Sequence, residues 1–398
     1  MAHSLDEYKN IIDGIVSDEL NFFADMAVSI AKNPELGEHE FETSRMLTDA
    51  LHSRGWDVEY PYAGMPTAFN AVKKNGEGPV VDFMAEYDAL PEIGHACGHN
   101  LNGVMSLLAG IALAGAVGEE VCGEIRVVGT PAEETNGAKV EMVNRGVFDG
   151  VDFAMMAHAS SGLSKPVYRA LALIPAEFSF KGLPAHASAA PWEGLNALNG
   201  LQIFFHALDM LRQHVRPETR IHGIITKGGD APNIVPDFAQ GVFYFRSPSR
   251  NYLDAVVEKA LDCARGAALC TGTEVSWKRH ETSFREILPN REVESAMMGV
   301  LDEIGEPYDP TPYSGGSTDA GDVSWMCPTM HLGISFTENH VAHHTREFAE
   351  VAGDRSKIGR GIANGARAMA RMGLLVLTDP DARRMMREEL ERAKKPDD

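Results

Sequence analysis

The sequence predicts an α/β protein of two domains: a discontinuous domain on a mixed, mostly parallel sheet, and an α+β domain inserted into it. Three observations carry that expectation. The chain has 398 residues, more than one simple core usually holds. Up to about residue 170, apolar strands alternate with helices, the texture of a parallel sheet. From 172 to 285 the order becomes β-α-β-β-α-β, the split, ferredoxin-like arrangement, after which the first texture resumes. The expected domains are therefore 1–171 with 286–398, and 172–285.

Residues 5 to 33 set Ile11, Ile12, Ile15, Leu20, Phe22, Phe23, Met26 and Ile30 at helical spacing, an amphipathic opening helix. Asn33-Pro34-Glu35-Leu36-Gly37 breaks it. A second helix fits Glu40 to Gly55, with strands near 57–60 and 69–74. Val80, Val81, Phe83, Met84 and Ala85 read as a buried strand emptying into Glu86-Tyr87-Asp88-Ala89-Leu90-Pro91 and Gly94-His95-Ala96-Cys97-Gly98-His99-Asn100. Val104, Leu107, Leu108 and Ile111 mark the next helix, Leu101 to Ala114. The strand Glu124 to Gly129 runs into Thr130-Pro131-Ala132-Glu133-Glu134, and Phe153 to Ala157 delivers His158. Three strands thus set acids, Cys or His at their carboxyl ends, where open α/β sheets bind ligands.

In the inserted domain, Ala172 to Phe180 reads as a strand. Glu193 to Arg212 reads as a helix through Leu195, Leu198, Leu201, Ile203, Phe204, Leu208 and Leu211. Strands near 220–226 and 239–246, a helix near 251–268 and a strand near 273–279 complete the pattern. Glu294 to Ile304 and Met330 to Ile334 return to α/β texture, followed by a helix over 355–373. The charged tail from Asp379 is expected to fray toward Lys394-Lys395-Pro396-Asp397-Asp398.

A formal charge of −21 argues against nucleic acid or an anionic membrane as partner. No apolar run reaches transmembrane length, and Met1 to Glu7 lack the basic and apolar regions of a secretory signal. The expected location is cytoplasmic. The five cysteines show no zinc-ribbon or paired spacing, and only Cys97 stands among other ligand types.

Cys97 and His99, two positions apart, can reach one ion, and thiolate with imidazole suits zinc or another borderline metal. A lone C-x-H is more often a small buried thiol beside a hydrogen-bonded His. Glu133 and Glu134, being adjacent, cannot point at one ion in the same way. One can ligate while the other faces a water as general base; taken alone, an acidic pair near a helix N-terminus explains them too. His158 and the trio His340, His343 and His344 are equally ambiguous one by one. The combination is not.

Together these motifs resemble the M20 family of metallo-aminoacylases and peptidases, in its Cys-ligand amidohydrolase branch of aminobenzoyl-glutamate hydrolase and aminoacylase-1-like dipeptidase type. The resemblance is carried by Glu86 to Pro91, His95 to Asn100, Gly129 to Glu134 and Met156-Ala157-His158. It continues through Gly182-Leu183-Pro184-Ala185-His186-Ala187, Pro191 to Ala197, Gly228 to Pro236, and His344 four residues before Phe348. It implies Cys97, His99, Glu134, His158 and His344 as ligands of one or two divalent ions (zinc or manganese, or cobalt), with Cys97 bridging if there are two. His344 is preferred to His343 for its spacing to Phe348. Glu133 is implied as general base and Asp88 as the carboxylate that orients a ligating imidazole. His222 is implied to stabilise the oxyanion from the partner subunit, Asn233 and Arg246 to bind the substrate's carboxylate side, and His186 to be structural. The inserted domain is implied to be a lid and a homodimer contact.

The implied reaction is cleavage of the amide bond of a small N-acyl or N-aroyl amino acid or dipeptide by a metal-activated water. A hydrolytic deaminase of an aromatic amine such as a substituted aminobenzoate is the alternative enzyme, and an inactive small-ligand-binding relative the alternative from another class. Asn100, where many relatives carry Asp, and Gly315-Gly316-Ser317-Thr318-Asp319, where many carry Glu-Asp, depart from the pattern and bear on the substrate.

Overall fold

The computed structural model describes residues 3–313 and 316–395. Gly315 of the departing loop and Pro396-Asp397-Asp398 of the tail lie outside the described residues. The chain divides into two compact units, Met1–Arg169 with Ile287–Ser314 and Asp322–Asp398, and Ala170–Glu286 with Gly315–Gly321. Residues 316–321, expected in the discontinuous domain, thus go with the inserted one. Leu171 N donates to Gly316 O at 2.9 Å, and Arg246 Nη1 to Ser317 Oγ at 2.9 Å.

The chain opens with α1 (Leu5–Lys32), α2 (Phe41–His52), β1 (Asp57–Glu59), β2 (Phe69–Asn75), β3 (Val80–Ala85), α3 (His99–Val117), β4 (Gly123–Gly129), α4 (Ala138–Asn144) and β5 (Phe153–Ser161). The inserted unit follows: β6 (Ala172–Lys181), α5 (Ala197–Leu211), β7 (Arg220–Lys227), β8 (Phe238–Ser247), α6 (Arg250–Thr271) and β9 (Glu274–Arg279). The chain continues through α7 (Arg291–Ile304), α8 (Ala320–Ser324), β10 (Thr329–Thr337), α9 (Arg346–Ala352), α10 (Arg355–Thr378) and α11 (Pro380–Ala393).

The first unit's sheet runs β1-β2-β4-β3-β5-β10. Its β4–β3, β3–β5 and β5–β10 pairs are parallel, and β2 joins β1 and β4 antiparallel. The pleat sends alternate side chains to opposite faces. Val81, Phe83, Ile125, Val127, Phe153, Met155, Leu332 and Ile334 join α1, α3 and α10 in the main core. The intervening positions, Asp82, Arg126, His158 and His331, therefore belong to the other face, and the unit's chemistry gathers on that side.

Three differences from the expected elements appear here. Helix α3 is long and apolar enough to cross a bilayer, yet 89% of that stretch is buried inside the fold; Asn102 and Ser106 interrupt the apolar run in the sequence. The tail from Asp379 is also helical. Asp379 accepts from Asp381 N and Ala382 N at 3.0 Å each, Pro380 starts α11, and Ala382, Met386 and Leu390 form a buried stripe. Three apolar positions among many charges left that stripe faint. His158, expected just past a strand, lies inside β5 because the strand runs on to Ser161.

The inserted unit's sheet, β7-β8-β6-β9, is antiparallel throughout. With α5 and α6 it encloses a separate core rich in Phe178, Phe180, Phe204, Phe243 and Phe245.

Asp82 and Arg126 stand opposite each other on β3 and β4. Arg126 Nε and Nη2 donate to the two Asp82 oxygens at 2.6 Å each. Removing one partner strands a buried charge, so Arg126→Met should cost about 3–5 kcal/mol of unfolding free energy. Urea unfolding reads this directly; a loss under about 1 kcal/mol would show that the pair does not hold the sheet.

Candidate metal centre

Four pieces of backbone meet at the carboxyl edge of the first unit's sheet. The loop after β3 supplies Glu86 and Asp88, and the start of α3 supplies Cys97 and His99. The turn after β4 supplies Glu133 and Glu134, and β5 supplies His158. Gly98 sits between the two ligand types at φ +81° as the cap of α3, and a Cβ there would run into Ala159 and Phe348. Only glycine meets both demands. From the far end of the chain comes His344, at φ +60°, its N donating to Ala96 O at 2.9 Å. A left-handed histidine is uncommon, and such conformations concentrate at functional sites.

The donor atoms fall into sets within 4.8 Å of one another: Cys97, His99 and His158; Cys97, Glu134 and His344; His99, Glu133 and Glu134. Cys97 belongs to two of them. Its Sγ lies 3.5 Å from His158 Nε2, and His344 Nε2 lies 3.5 Å from Glu134 Oε1. His343 enters none of these sets; its Nε2 donates to Ala159 O at 2.9 Å.

Hydrogen bonds fix which ring nitrogens are free. His99 Nδ1 donates to Asp88 Oδ1 at 2.9 Å and to its carbonyl at 3.1 Å. His158 Nδ1 donates to Ala159 O at 3.0 Å, since a carbonyl can only accept. In the neutral rings both Nε2 atoms therefore face the cluster with lone pairs, and among the described residues His99 Nε2 has no hydrogen-bond partner. The other Asp88 oxygen accepts Glu134 N at 2.9 Å.

Burial lowers His158 to about 3, so its imidazole is the neutral, ligating form at pH 7. Burial also opposes a charge on His99, but Asp88, Cys97 and Glu86 outweigh it and push that imidazole well above the usual range. A negative field thus calls for a positive charge at His99 Nε2. Burial likewise works against the Glu134 carboxylate, but the imidazoles of His344 and His99 hold it down at about 2. The Cys97 thiol is pushed well up by burial, so an ion binding there must displace its proton. Thiolate, imidazole and carboxylate donors around an unsatisfied buried nitrogen fit a borderline divalent metal.

The remaining expected residues belong to the inserted unit. His222 faces Tyr244 across β7 and β8, edge to ring at 5.8 Å, and Arg246 on β8 lies 5.7 Å above the same ring. Asn233 O accepts Ala187 N at 3.0 Å in a loop, and His186 Nδ1 accepts Ser188 N and Ala189 N at 3.3 and 3.2 Å, holding its own turn. Asn100 turns away from the ligand sets. Its buried amide donates to Ala27 O at 3.2 Å and Ala352 O at 2.9 Å, bonds an aspartate could not make. It therefore joins helices rather than reading substrate.

Sequence reasoning assigned no role to Glu40, Glu86, Asn102, Lys139 or His331. His331, lowered to about 4 by burial, stacks on His158 at 5.5 Å and meets Tyr168 at 4.5 Å. Glu40 accepts Ala132 N and Thr67 Oγ1, both at 2.8 Å. It so supports the turn at Ala132, φ +57°, that presents Glu133 and Glu134. Glu86 stands in the Glu86 to Pro91 motif without a role of its own, while the other four lie in no spacing that marks them and only the fold brings them to the site.

A family model described as peptidase family M20/M25/M40 matches residues 83–372. The Xaa-Arg dipeptidase of Mus musculus is 35% identical over 341 residues, 81% of this chain and 78% of that protein. One of the subunits of p-aminobenzoyl-glutamate hydrolase from Escherichia coli (strain K12) is 33% identical over 322 residues, 76% of this chain and 66% of that one. A solved dinuclear metal binding peptidase of the M20 family from Bacillus subtilis superposes with a TM-score of 0.69 at 18% identity, over 91% of this chain and 99% of that one.

Glu40 is pushed up from 4.5 to about 7 by burial and then by Asp88. Between those values the folded state keeps a proton that the unfolded chain has shed, so stability falls as pH rises through the window. In chelator-treated protein, wild type should lose about 3 kcal/mol more than Glu40→Gln across it. Denaturant titrations at the two ends measure this, and parallel curves for the two proteins would refute the assignment.

Proposed function

Because the chain belongs to peptidase family M20/M25/M40, we propose that it cleaves the amide bond of a dipeptide or an N-acyl or N-aroyl amino acid at a divalent metal centre. Hydrolysis of C–N bonds in small amides follows from the family and its dipeptidase and aminobenzoyl-glutamate hydrolase relatives. The observation that carries the finer reading is that the sets Cys97, His99 and His158 and Cys97, Glu134 and His344 share Cys97, beside a buried His99 Nε2 without a hydrogen-bond partner among the described residues.

These five residues would hold the metal, which when bound supplies positive charge at the scissile carbonyl and a water of lowered pKa. Cys97, common to two donor sets, is the natural bridge if two ions bind, as in the dinuclear Bacillus subtilis neighbour. Glu133 offers an oxygen within 4.8 Å of the His99 and Glu134 donors. In that position it takes the water's proton and returns it to the leaving amine. Asp88 keeps His99 in the ligating tautomer. His222 and Arg246 are neighbouring donors on the inserted sheet, suited to an oxyanion and a substrate carboxylate. Asn233 is assigned beside them on the resemblance alone.

We further propose a homodimer through the inserted unit. Strand β7 is a sheet edge with Ile224 and Ile225 exposed, and Ile203 and Met210 on α5 are exposed as well, the kind of edge and apolar surface that proteins cover. The five free thiols suit a reducing, cytoplasmic setting.

Metal-loaded protein should release amino acid from dipeptides or aminobenzoyl-glutamate, and a chelator should stop it. Ammonia from a substituted aminobenzoate would establish the deaminase instead, and inactivity of fully loaded protein across the panel an inactive relative. Glu133→Gln should keep its metal while kcat falls about 10²–10⁴-fold; near-normal turnover would remove Glu133 from the base role. His344→Ala should lose bound metal outright. His343→Ala, which only loosens the carbonyl shared with His158, should weaken binding about tenfold. The reverse order in equilibrium dialysis would exchange the two roles.

A further inference from the structure

One ring beside the ligand sets has no part in the reaction above. His331 on β10 belongs to none of the donor sets among the described residues, yet it lies against one of the proposed ligands. Its ring stacks on that of His158, with centroids 5.5 Å apart and planes 19° from parallel, an offset arrangement that aromatic side chains favour.

The sheet explains why this contact exists. Strands β5 and β10 run in parallel with His158 opposite Gly333 and Met156 opposite His331. Side chains two apart on a strand share a face, so a side chain at 333 would stand beside His158. Glycine puts nothing there, and a Cβ would come within 3.1 Å of Lys165 Cβ. His331, one pleat back on the same face, reaches His158 diagonally instead. The segment that crowds Gly333 also backs His331. Lys165 N donates to Gly333 O at 2.7 Å and Gly333 N to Lys165 O at 3.0 Å. Further along that segment, Tyr168 meets the His331 ring at 4.5 Å, and Tyr313 stacks on Tyr168 at 5.9 Å and 25°.

A ligating histidine needs such support. Its metal lies in the ring plane, along the nitrogen lone pair, while the torsion that turns the ring is broad and selects no plane sharply. The bond from His158 Nδ1 to Ala159 O holds one edge of the ring. His99 meets that ring edge-on at 86° and His343 is tilted from it by 54°. Of the three imidazoles around His158, His331 alone lies nearly parallel to it. We propose that His331 is a positioning residue: backed by Tyr168, it holds the His158 imidazole in the plane that aims Nε2 at the ion. The inference rests on the metal-centre reading above.

Equilibrium dialysis with zinc on His331→Leu and His331→Phe tests it, since Leu fills much of the space without a flat ring and Phe restores one. His331→Leu should bind zinc about tenfold more weakly than wild type, and His331→Phe should return close to the wild-type affinity. The visible bands of the cobalt(II)-loaded proteins should follow the same order, displaced in His331→Leu and restored in His331→Phe. At saturating zinc, kcat should fall in His331→Leu while KM changes little. If His331→Leu does not fold, His331→Met, whose side chain adapts to irregular space, takes its place with the same expectation. Unchanged zinc affinity and bands in the folded variant overturn the proposal even where urea shows lost stability, for His331 would then only fill space. His331→Phe binding as weakly as His331→Leu overturns it too, because the stacked ring would not be what matters. Zinc failing to bind wild type would overturn the metal centre itself, and this inference with it.

Discussion

One carboxylate organises the candidate site. Asp88 Oδ1 accepts the His99 ring proton and Oδ2 accepts the Glu134 backbone N–H, each at 2.9 Å. The group lies at the end of the β3 segment, so a single buried side chain ties that segment to the start of α3 and to the turn after β4. It settles the His99 tautomer and where the peptide carrying Glu134 must sit. An amide in its place would offer one acceptor instead of two and leave one of these donors unsatisfied in a dry interior.

Around that tie, the sheet separates the work of its two faces. One face joins α1, α3 and α10 in an apolar core, and the other carries the titratable groups. Charges on that second face are compensated in pairs: Asp82 with Arg126, and Glu86 with Lys139. The ligand sets differ, for their donor atoms gather near a His99 Nε2 that has no hydrogen-bond partner among the described residues. Paired charge where the protein is structural, and unbalanced donors where an ion fits, is the contrast that gives this edge its chemistry.

Much of this was legible in the sequence, for physical reasons. Strands β3, β4 and β5 are apolar runs ending in Glu, Asp, Cys and His, and the β-α-β-β-α-β order of the inserted unit follows from alternation and spacing. The proposed ligands lie in short motifs in which residue type itself signals metal chemistry. Lys139 and Glu40 were illegible because a charged residue in a sequence reads as solvated until the fold shows it buried. Asn102 and Asn100 looked like polar breaks in an apolar helix, and only the carbonyls and carboxylate they meet give them purpose. Helix α11 was missed because Ala382, Met386 and Leu390 are too sparse among charges to outweigh the impression of a free tail. The move of residues 316–321 to the inserted unit rests on hydrogen bonds to Leu171 and Arg246, partners remote in sequence.

The most direct test of the metal centre is diffraction from crystals grown with zinc or manganese, recorded on either side of the metal's absorption edge. The account predicts an anomalous peak within bonding distance of both Cys97 Sγ and His99 Nε2, with any second peak sharing Cys97 and reaching Glu134 and His344. An anomalous map with no peak at Cys97 in fully loaded, active protein would contradict it.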